Sequence, residues 1–200
     1  MISKPKFKIC RRLGQGVYDK CQTSKFSTVV AKGPMGGKRP KALSEYGAQF
    51  IEKQKIRFSY GVSERQLSNY VKKASAVKGA GTVEKFYEGL ESRLDNAIYR
   101  MGLAPSRRAA RQMVSHGHFV IGAHKVTVPS YELKTGDIIK IREGSKAKKI
   151  FEGLEGKLKD YTAPTWLSFD LSKMEGKVLD KPKNIETFLD LNAVLEFYSR

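Results

Sequence analysis

The chain is predicted to be an α+β protein: an N-terminal helical domain with an extended basic arm, then a small domain of two helices packed on a short antiparallel β-sheet. Three observations carry this. From residue 44 to about residue 117, apolar residues recur at three- and four-residue spacings, the period of a helix that buries one face. From Phe119 the pattern shortens to brief β runs separated by Gly and Pro. Before residue 44 neither period is sustained.

Residues 1–43 are read as the arm. Gly14, Gly16, Gly33, Gly36 and Gly37, with Pro5, Pro34 and Pro40, interrupt it throughout. Alone it is too polar to bury a core, so it is expected to gain order by lying on a partner. Gly33-Pro34-Met35-Gly36-Gly37-Lys38 invites comparison with a phosphate loop. That pattern needs Gly at 32 and Ser or Thr at 39, where the sequence has Lys32 and Arg39, so a basic loop is what remains.

Residues 44–92, with 151–200 returning, are expected to form the helical domain. Tyr46, Phe50, Ile51 and the run Gln54 to Phe58 predict a helix ending near Gly61. Ser63-Glu64-Arg65-Gln66 is a capping-box pattern, in which the Ser and Gln side chains satisfy backbone N–H groups at the helix start. Leu67, Tyr70, Val71 and Ala74 continue that helix, with Arg65, Lys72 and Lys73 on its other face. Lys78-Gly79-Ala80-Gly81 breaks the run, and Thr82 opens a further helix through Phe86 and Leu90.

Residues 93–150 are read as the small domain. Leu94, Ala97, Ile98 and Met101 share one helix face, and Gly102 can take the left-handed conformation that closes it. Ser106 is a good N-cap for a second helix, whose Ala110, Met113 and Val114 point inward and which stops at Gly117. Phe119-Val120-Ile121 and Val126-Thr127-Val128 read as a hairpin around Gly122-Ala123. Asp137 to Arg142 follows as a strand after the Thr135-Gly136 turn. The second helix places charge unusually: Arg107 and Arg108 stand in its first turn, where the macrodipole disfavours cations by roughly 0.3–1 kcal/mol each. Arg111 falls on the same edge. Cations set against the dipole point to an external anion, and a solvated polar face is the plainer alternative.

Glu143 to Lys149 reads as a charged linker. Residues 151–183 are turn-rich around Trp166-Leu167 and Val178-Leu179. A last amphipathic run from Ile185 to Leu191 leads to Ala193-Val194-Leu195-Glu196-Phe197-Tyr198-Ser199-Arg200, whose apolar residues are expected to pack back on their own domain.

Two hundred residues with 40% hydrophobic content are enough for one or two domains with cores, and no apolar run approaches a membrane span. The net charge is +18 and uneven. Residues 1–60 carry 14 Lys+Arg against 3 Asp+Glu, residues 61–150 carry 17 against 8, and residues 151–200 carry 7 against 9. A polyanion bound by the first two-thirds fits this balance. A membrane surface does not, because the charge is spread over many elements instead of one amphipathic helix. The first eighteen residues lack acids, as a transit peptide would, but no apolar signal region exists, and the cytoplasm is the expected compartment. Cys10 and Cys21 are the only cysteines. A zinc site needs four ligands, and a disulfide is rare in a basic cytosolic chain, so two unligated thiols are expected.

These residues closely resemble the family of bacterial small ribosomal subunit protein four over nearly the whole length. The resemblance rests on Leu43-Ser44-Glu45-Tyr46-Gly47 with Glu52-Lys53-Gln54-Lys55, on Tyr60-Gly61-Val62-Ser63-Glu64-Arg65-Gln66, and on Arg93-Leu94-Asp95-Asn96. Ser106-Arg107 with Ala110-Arg111-Gln112, Ser115-His116-Gly117-His118 and Val128-Pro129-Ser130-Tyr131 continue it. Pro164, Trp166 and Leu167 and the terminal Glu196-Phe197-Tyr198-Ser199-Arg200 complete it. The resemblance implies that residues 93–150 are a small RNA-binding domain. It further implies a structural protein that binds small-subunit (16S-type) ribosomal RNA directly and early in assembly. It implies as neighbours small-subunit ribosomal protein five and messenger RNA at the channel through which it enters, with a bearing on decoding accuracy. The match begins within the first dozen residues, which is taken to leave no room for a cleaved transit peptide. Many members hold zinc on four N-terminal cysteines; this chain has two, so no metal and no cofactor is carried over. The family's hairpin turn is usually Asn-Gly, and with Gly122-Ala123 here a shifted or looser turn is expected.

Functions of other classes fit less well. Arg93-Leu94-Asp95 resembles the Arg-Leu-Asp of pseudouridine synthases, where the Asp is the nucleophile, but Ser92 precedes it here and Asn96-Ala97-Ile98 continues a helix. Asp95 is expected to pair with a nearby cation, and no enzyme activity is expected. A stand-alone stress protein of the same fold would have no use for residues 1–60 and 151–200. The candidate RNA contacts are Arg11, Arg12, Lys38, Arg39 and Lys41 on the arm, and Lys53, Arg57, Arg65, Lys72 and Lys73 on the helical domain. The small domain adds Arg93, Arg100, Arg107, Arg108, Arg111, His116, His118 and Lys125.

Overall fold

The computed structural model of the chain describes residues 5–24, 26, 43–77, 81–158, 161–183 and 188–200. It divides into two units, residues 1–83 with 185–200, and residues 84–184.

In the first unit the start of the chain folds on its own apolar residues. Helix α1 (Lys6–Leu13) and two 3-10 turns, Gln15–Val17 and Asp19–Gln22, bury Ile9, Cys10, Leu13, Val17, Cys21 and Phe26, with Phe7, Ile51 and Phe58 packed against them. For residues 5–24 and 26 this corrects the reading of an arm with no core of its own, while residues 27–42 lie outside the described residues. The signal was too sparse for a periodicity test, because the buried residues come from three short elements that meet only in three dimensions. The stretch around Gly33-Lys38 lies outside the described residues.

Helix α2 (Glu45–Ser59) begins where Ser44 accepts a hydrogen bond from the Gly47 N–H, and α3 (Glu64–Ser75) begins in the capping box of Ser63 and Gln66. Between them Gly61 adopts φ +62°, a left-handed turn that glycine makes without strain. The C-terminal helix α7 (Leu191–Ser199) is capped by Asp190. It lies on α2 through an aromatic cluster, with Phe197 5.3 Å from Tyr46 and 6.2 Å from Phe50, ring centroid to centroid. Gln49 donates to Glu196 at 3.0 Å and Arg200 pairs with Glu45.

The second unit contains helix α4 (Thr82–Glu91) from Glu84 onward, α5 (Leu94–Arg100), α6 (Arg107–Ser115) and a five-stranded antiparallel sheet. The strands are β1 (Phe119–Ile121), β2 (His124–Val126), β3 (Ile138–Ile141), β4 (Leu167–Asp170) and β5 (Glu175–Val178), in the order β2-β1-β3-β5-β4. β2 starts two residues earlier than the sequence pattern indicates. Ile121 pairs with His124, so the hairpin turn is a tight two-residue one, not a looser one. Only Gly122 takes positive φ there, at +58°; Ala123 is spared the left-handed region, so the turn keeps its length without Asn-Gly.

Three expectations for the second half change. Residues 151–184 belong to this unit and not to the helical domain, because β5 pairs with β3 and extends its sheet. Residues 84–92 also fall in it. Glu143 to Lys149 is no linker: it makes a helical turn at Glu143–Lys146, buries Ser145, and leads Phe151 into the core. That core joins Leu94, Ile98 and Met101 of α5 and Ala110, Met113 and Val114 of α6 to Phe119, Ile139, Ile141, Trp166, Leu167 and Val178.

Candidate nucleic-acid interface

Two buried carboxylates organise the polar side of α5 and α6. Asp95 stands in the first turn of α5, where its backbone N–H donates to the Pro129 carbonyl at 3.1 Å. Its side chain is 2% exposed. Arg93 donates to both of its oxygens, Nε to Oδ1 at 3.0 Å and Nη2 to Oδ2 at 2.8 Å. Arg111 adds Nε to Oδ2 at 2.9 Å, so one carboxylate holds two guanidiniums. Glu91, the last residue of α4 and fully buried, is the second centre. Arg100 donates to it through Nε at 3.0 Å and Nη2 at 2.8 Å, and Asn96 donates through Nδ2 at 2.9 Å. Asn96 then accepts from Arg107 Nε at 2.7 Å, while the Arg107 guanidinium lies 4.6 Å from the Tyr99 ring centroid.

Four guanidiniums thus surround two carboxylates, which leaves two positive charges. On α6, Arg107 therefore lies 3.9 Å from Glu91 and Arg111 pairs with Asp95, so these two meet internal anions before any external one, which the expectation from the dipole alone did not include. Asp95 pairs with cations as its helical flanks indicate. Arg93 is 3% exposed at its side chain, so it is structural and leaves the candidate surface. Arg100 and Arg107 keep 16% and 14% of their side-chain surface and Arg111 keeps 27%. Arg108, His116 and Lys125 are exposed on the same unit.

His118 does not join them. It is buried, its Nδ1 lies 2.9 Å from the Ser145 hydroxyl, and its ring meets Phe151 edge-on at 6.0 Å. Burial, followed by the charges of Lys148, His116 and Arg142, lowers its pKa below the ordinary imidazole value.

On the first unit, Arg11 and Arg12 are exposed on α1, and Arg65, Lys72 and Lys73 are exposed on α3. Lys53 is not. Its ammonium donates to Glu64 at 2.8 Å and sits among the rings of Phe50, Phe197 and Tyr198 at 5.0, 4.3 and 5.7 Å. Arg57 also pairs with Glu64, at 3.2 Å. Burial alone would raise the Glu64 carboxyl, but the hydrogen bonds from Lys53 and Tyr198 and the charges of Lys53 and Arg57 hold its pKa below the usual carboxylate range. Lys53 is therefore an internal partner, whereas Arg57 keeps 30% of its side-chain surface beside Glu64. Lys38, Arg39 and Lys41 lie outside the described residues. Sequence reasoning missed Glu91, Asn96 and Glu64. The one local signal was an acid closing the apolar run Phe86-Tyr87-Leu90, a place where a charge is tolerated only with a partner.

The cysteines differ from expectation. Cys10 and Cys21 are joined as a disulfide, because the two 3-10 turns fold back and bring their Cα atoms to 6.5 Å inside the apolar cluster. Their sulfurs are taken up by each other. Among the described residues no group of three or more His, Cys, Asp or Glu is placed to hold a metal ion.

A pair of short helices followed by an antiparallel hairpin, with arginines gathered on the second helix, defines this region as a domain of the S4 class, and the profile described as "S4 domain" matches residues 92–139. The profile "Ribosomal protein S4/S9 N-terminal domain" matches residues 2–91. The chain belongs to the ribosomal protein S4 family. It is 43% identical over 203 residues to a small ribosomal subunit protein uS4 of Chromobacterium violaceum, covering 98% of this chain and 97% of that one. Identity is 42% over 200 residues to the protein of that name in Syntrophomonas wolfei, with 96% and 95% covered. It is 39% over 205 residues to that of Thermotoga petrophila, with 98% and 97% covered.

Proposed function

We propose that this chain is a structural component of the small ribosomal subunit that binds small-subunit ribosomal RNA directly and early in assembly. The observation that carries this is similarity to small ribosomal subunit proteins from end to end. The net charge of +18 and the part-exposed guanidiniums on α6 supply the chemistry. Phosphate contacts come from Arg107, Arg108 and Arg111 with His116 and Lys125 beside them, and from Arg11, Arg12, Arg65, Lys72 and Lys73. Planar guanidiniums held in place match a phosphate in two-point fashion, and structured RNA is recognised more by backbone and shape than by base edges. The finer placement beside messenger RNA where it enters, and beside small-subunit protein five, in the cytoplasm, is part of the same reading and rests on the family resemblance alone. Among the described residues no helix is long and apolar enough to cross a membrane.

A catalytic reading through Asp95 meets a geometric obstacle. Both carboxylate oxygens are engaged by arginines and the side chain is buried, so no nucleic-acid carbon can approach it.

The test is a salt titration of affinity for small-subunit RNA with the wild type, Arg107→Lys/Arg111→Lys and Arg11→Gln/Arg12→Gln. With about eight phosphates neutralised, affinity falls by roughly three to five powers of ten between about 50 and 200 mM salt. The lysine pair lowers affinity with little change in slope, since charge is kept and the fork is lost. The glutamine pair reduces the slope by about 2. A lysine pair that binds like the wild type would show that these arginines act only as diffuse charge.

A further inference from the structure

We infer that Asp95 is a positioning residue for RNA recognition: it fixes the Arg111 guanidinium in the orientation in which it meets a phosphate. The inference rests on the reading of Arg111 as an RNA contact and goes beyond it. A flexible arginine loses several rotatable bonds when it binds, and that entropy weakens recognition. Here Arg111 is held before RNA arrives. Its Nε and Nη2 both point at Asp95 Oδ2, at 2.9 and 2.8 Å, while the side chain remains 27% exposed.

Asp95 can do this because it is itself immobile. Arg93, buried, clamps both its oxygens at 3.0 and 2.8 Å, and its backbone N–H is tied to the Pro129 carbonyl. Arg93 also neutralises the carboxylate. Without it, Asp95 would cancel the charge of Arg111 and repel the phosphate; with it, the trio keeps one positive charge. An exposed Asp–Arg pair alone would be a poor phosphate site, and the buried second arginine resolves that conflict. The guanidinium is thereby both fixed and still cationic.

The experiment is a double-mutant cycle on affinity of the full chain for transcribed small-subunit RNA, well below the melting temperature of every variant. Asp95→Asn and Arg111→Lys are each expected to weaken binding by roughly tenfold, since each removes the fixed fork. Asp95→Asn/Arg111→Lys is expected to bind no worse than either single variant, because both changes remove the same feature. Asp95→Asn/Lys125→Gln, which joins Asp95 to a cation it does not touch, is expected to show the product of the single effects. If Asp95→Asn lowers thermal stability but leaves affinity unchanged, Asp95 is structural only and the inference is overturned. Full additivity with Arg111→Lys overturns it too, since Asp95 would then act through another group. If Arg111→Lys alone binds like the wild type, the underlying contact is wrong, an outcome distinct from the first two. Should Asp95→Asn not fold, Asp95→Glu keeps the charge but displaces the anchor by a methylene; it must still weaken binding and lose its effect when combined with Arg111→Lys.

Discussion

The Lys53 ammonium lies 4.3 Å from the centroid of the Phe197 ring, which joins the middle of α2 to the last turn of the chain. A cation against an aromatic face contributes about 0.5–2 kcal/mol, more as water is excluded, and Glu64 completes the enclosure at 2.8 Å. Phe197→Ala is expected to lower unfolding free energy by about 2–3 kcal/mol, the lower end for a large aromatic because the ring is only part-buried. Lys53→Gln is expected to lower the melting temperature and leave the salt slope of RNA affinity unchanged. A slope reduced by about 1 would instead place Lys53 on a phosphate.

Acidification is expected to destabilise the second unit through His118. Its folded pKa is depressed by burial and by the nearby Lys148, His116 and Arg142, so on lowering the pH the unfolded chain takes up the proton first. The stability it protects is fully present above the ordinary imidazole value of about 6.5 and is lost as the pH falls through that value toward the lower folded one. Melting curves between about pH 7.5 and 5.5 measure this, and His118→Gln should flatten the dependence. An unchanged slope in that variant would assign the effect to other groups.

Thiol titration of the denatured chain without reductant is expected to detect neither Cys10 nor Cys21, and to detect both after reduction. Their loop spans 11 residues, so opening it should lower stability by about 2–3 kcal/mol. Two reactive thiols per freshly denatured chain would show that the sulfurs are not joined. Metal analysis of the purified protein is expected to show no stoichiometric zinc.

Gly176 faces the core where β5 crosses Met101. A Cβ there would stand 2.6 Å from the Met101 sulfur and 2.8 Å from its methyl carbon, and Met101 is fully buried. Gly176→Ala is therefore expected to cost about 1–3 kcal/mol in urea denaturation. In a Met101→Ala background the penalty should largely vanish. If it persists undiminished, the clash with Met101 is not its cause.

What the residues determine by themselves is local. Ser44, Ser63 and Ser106 mark three helix starts, and Gly61, Gly102 and Gly117 mark the turns that follow, because caps and left-handed turns depend only on a few neighbouring residues. The apolar stripe of α5 and the motifs that carry the family are legible for the same reason. The tertiary structure decides which cations remain available. Lys53 looks like the other basic residues in sequence, yet folding buries it against Glu64 and inside an aromatic box closed from the far end of the chain. The same holds for Cys10 with Cys21, and for residues 151–184, whose strands join the sheet of the small domain by backbone pairing that no local period announces. Burial of a charge depends on where its counter-charge arrives, and that is set by contacts distant in sequence.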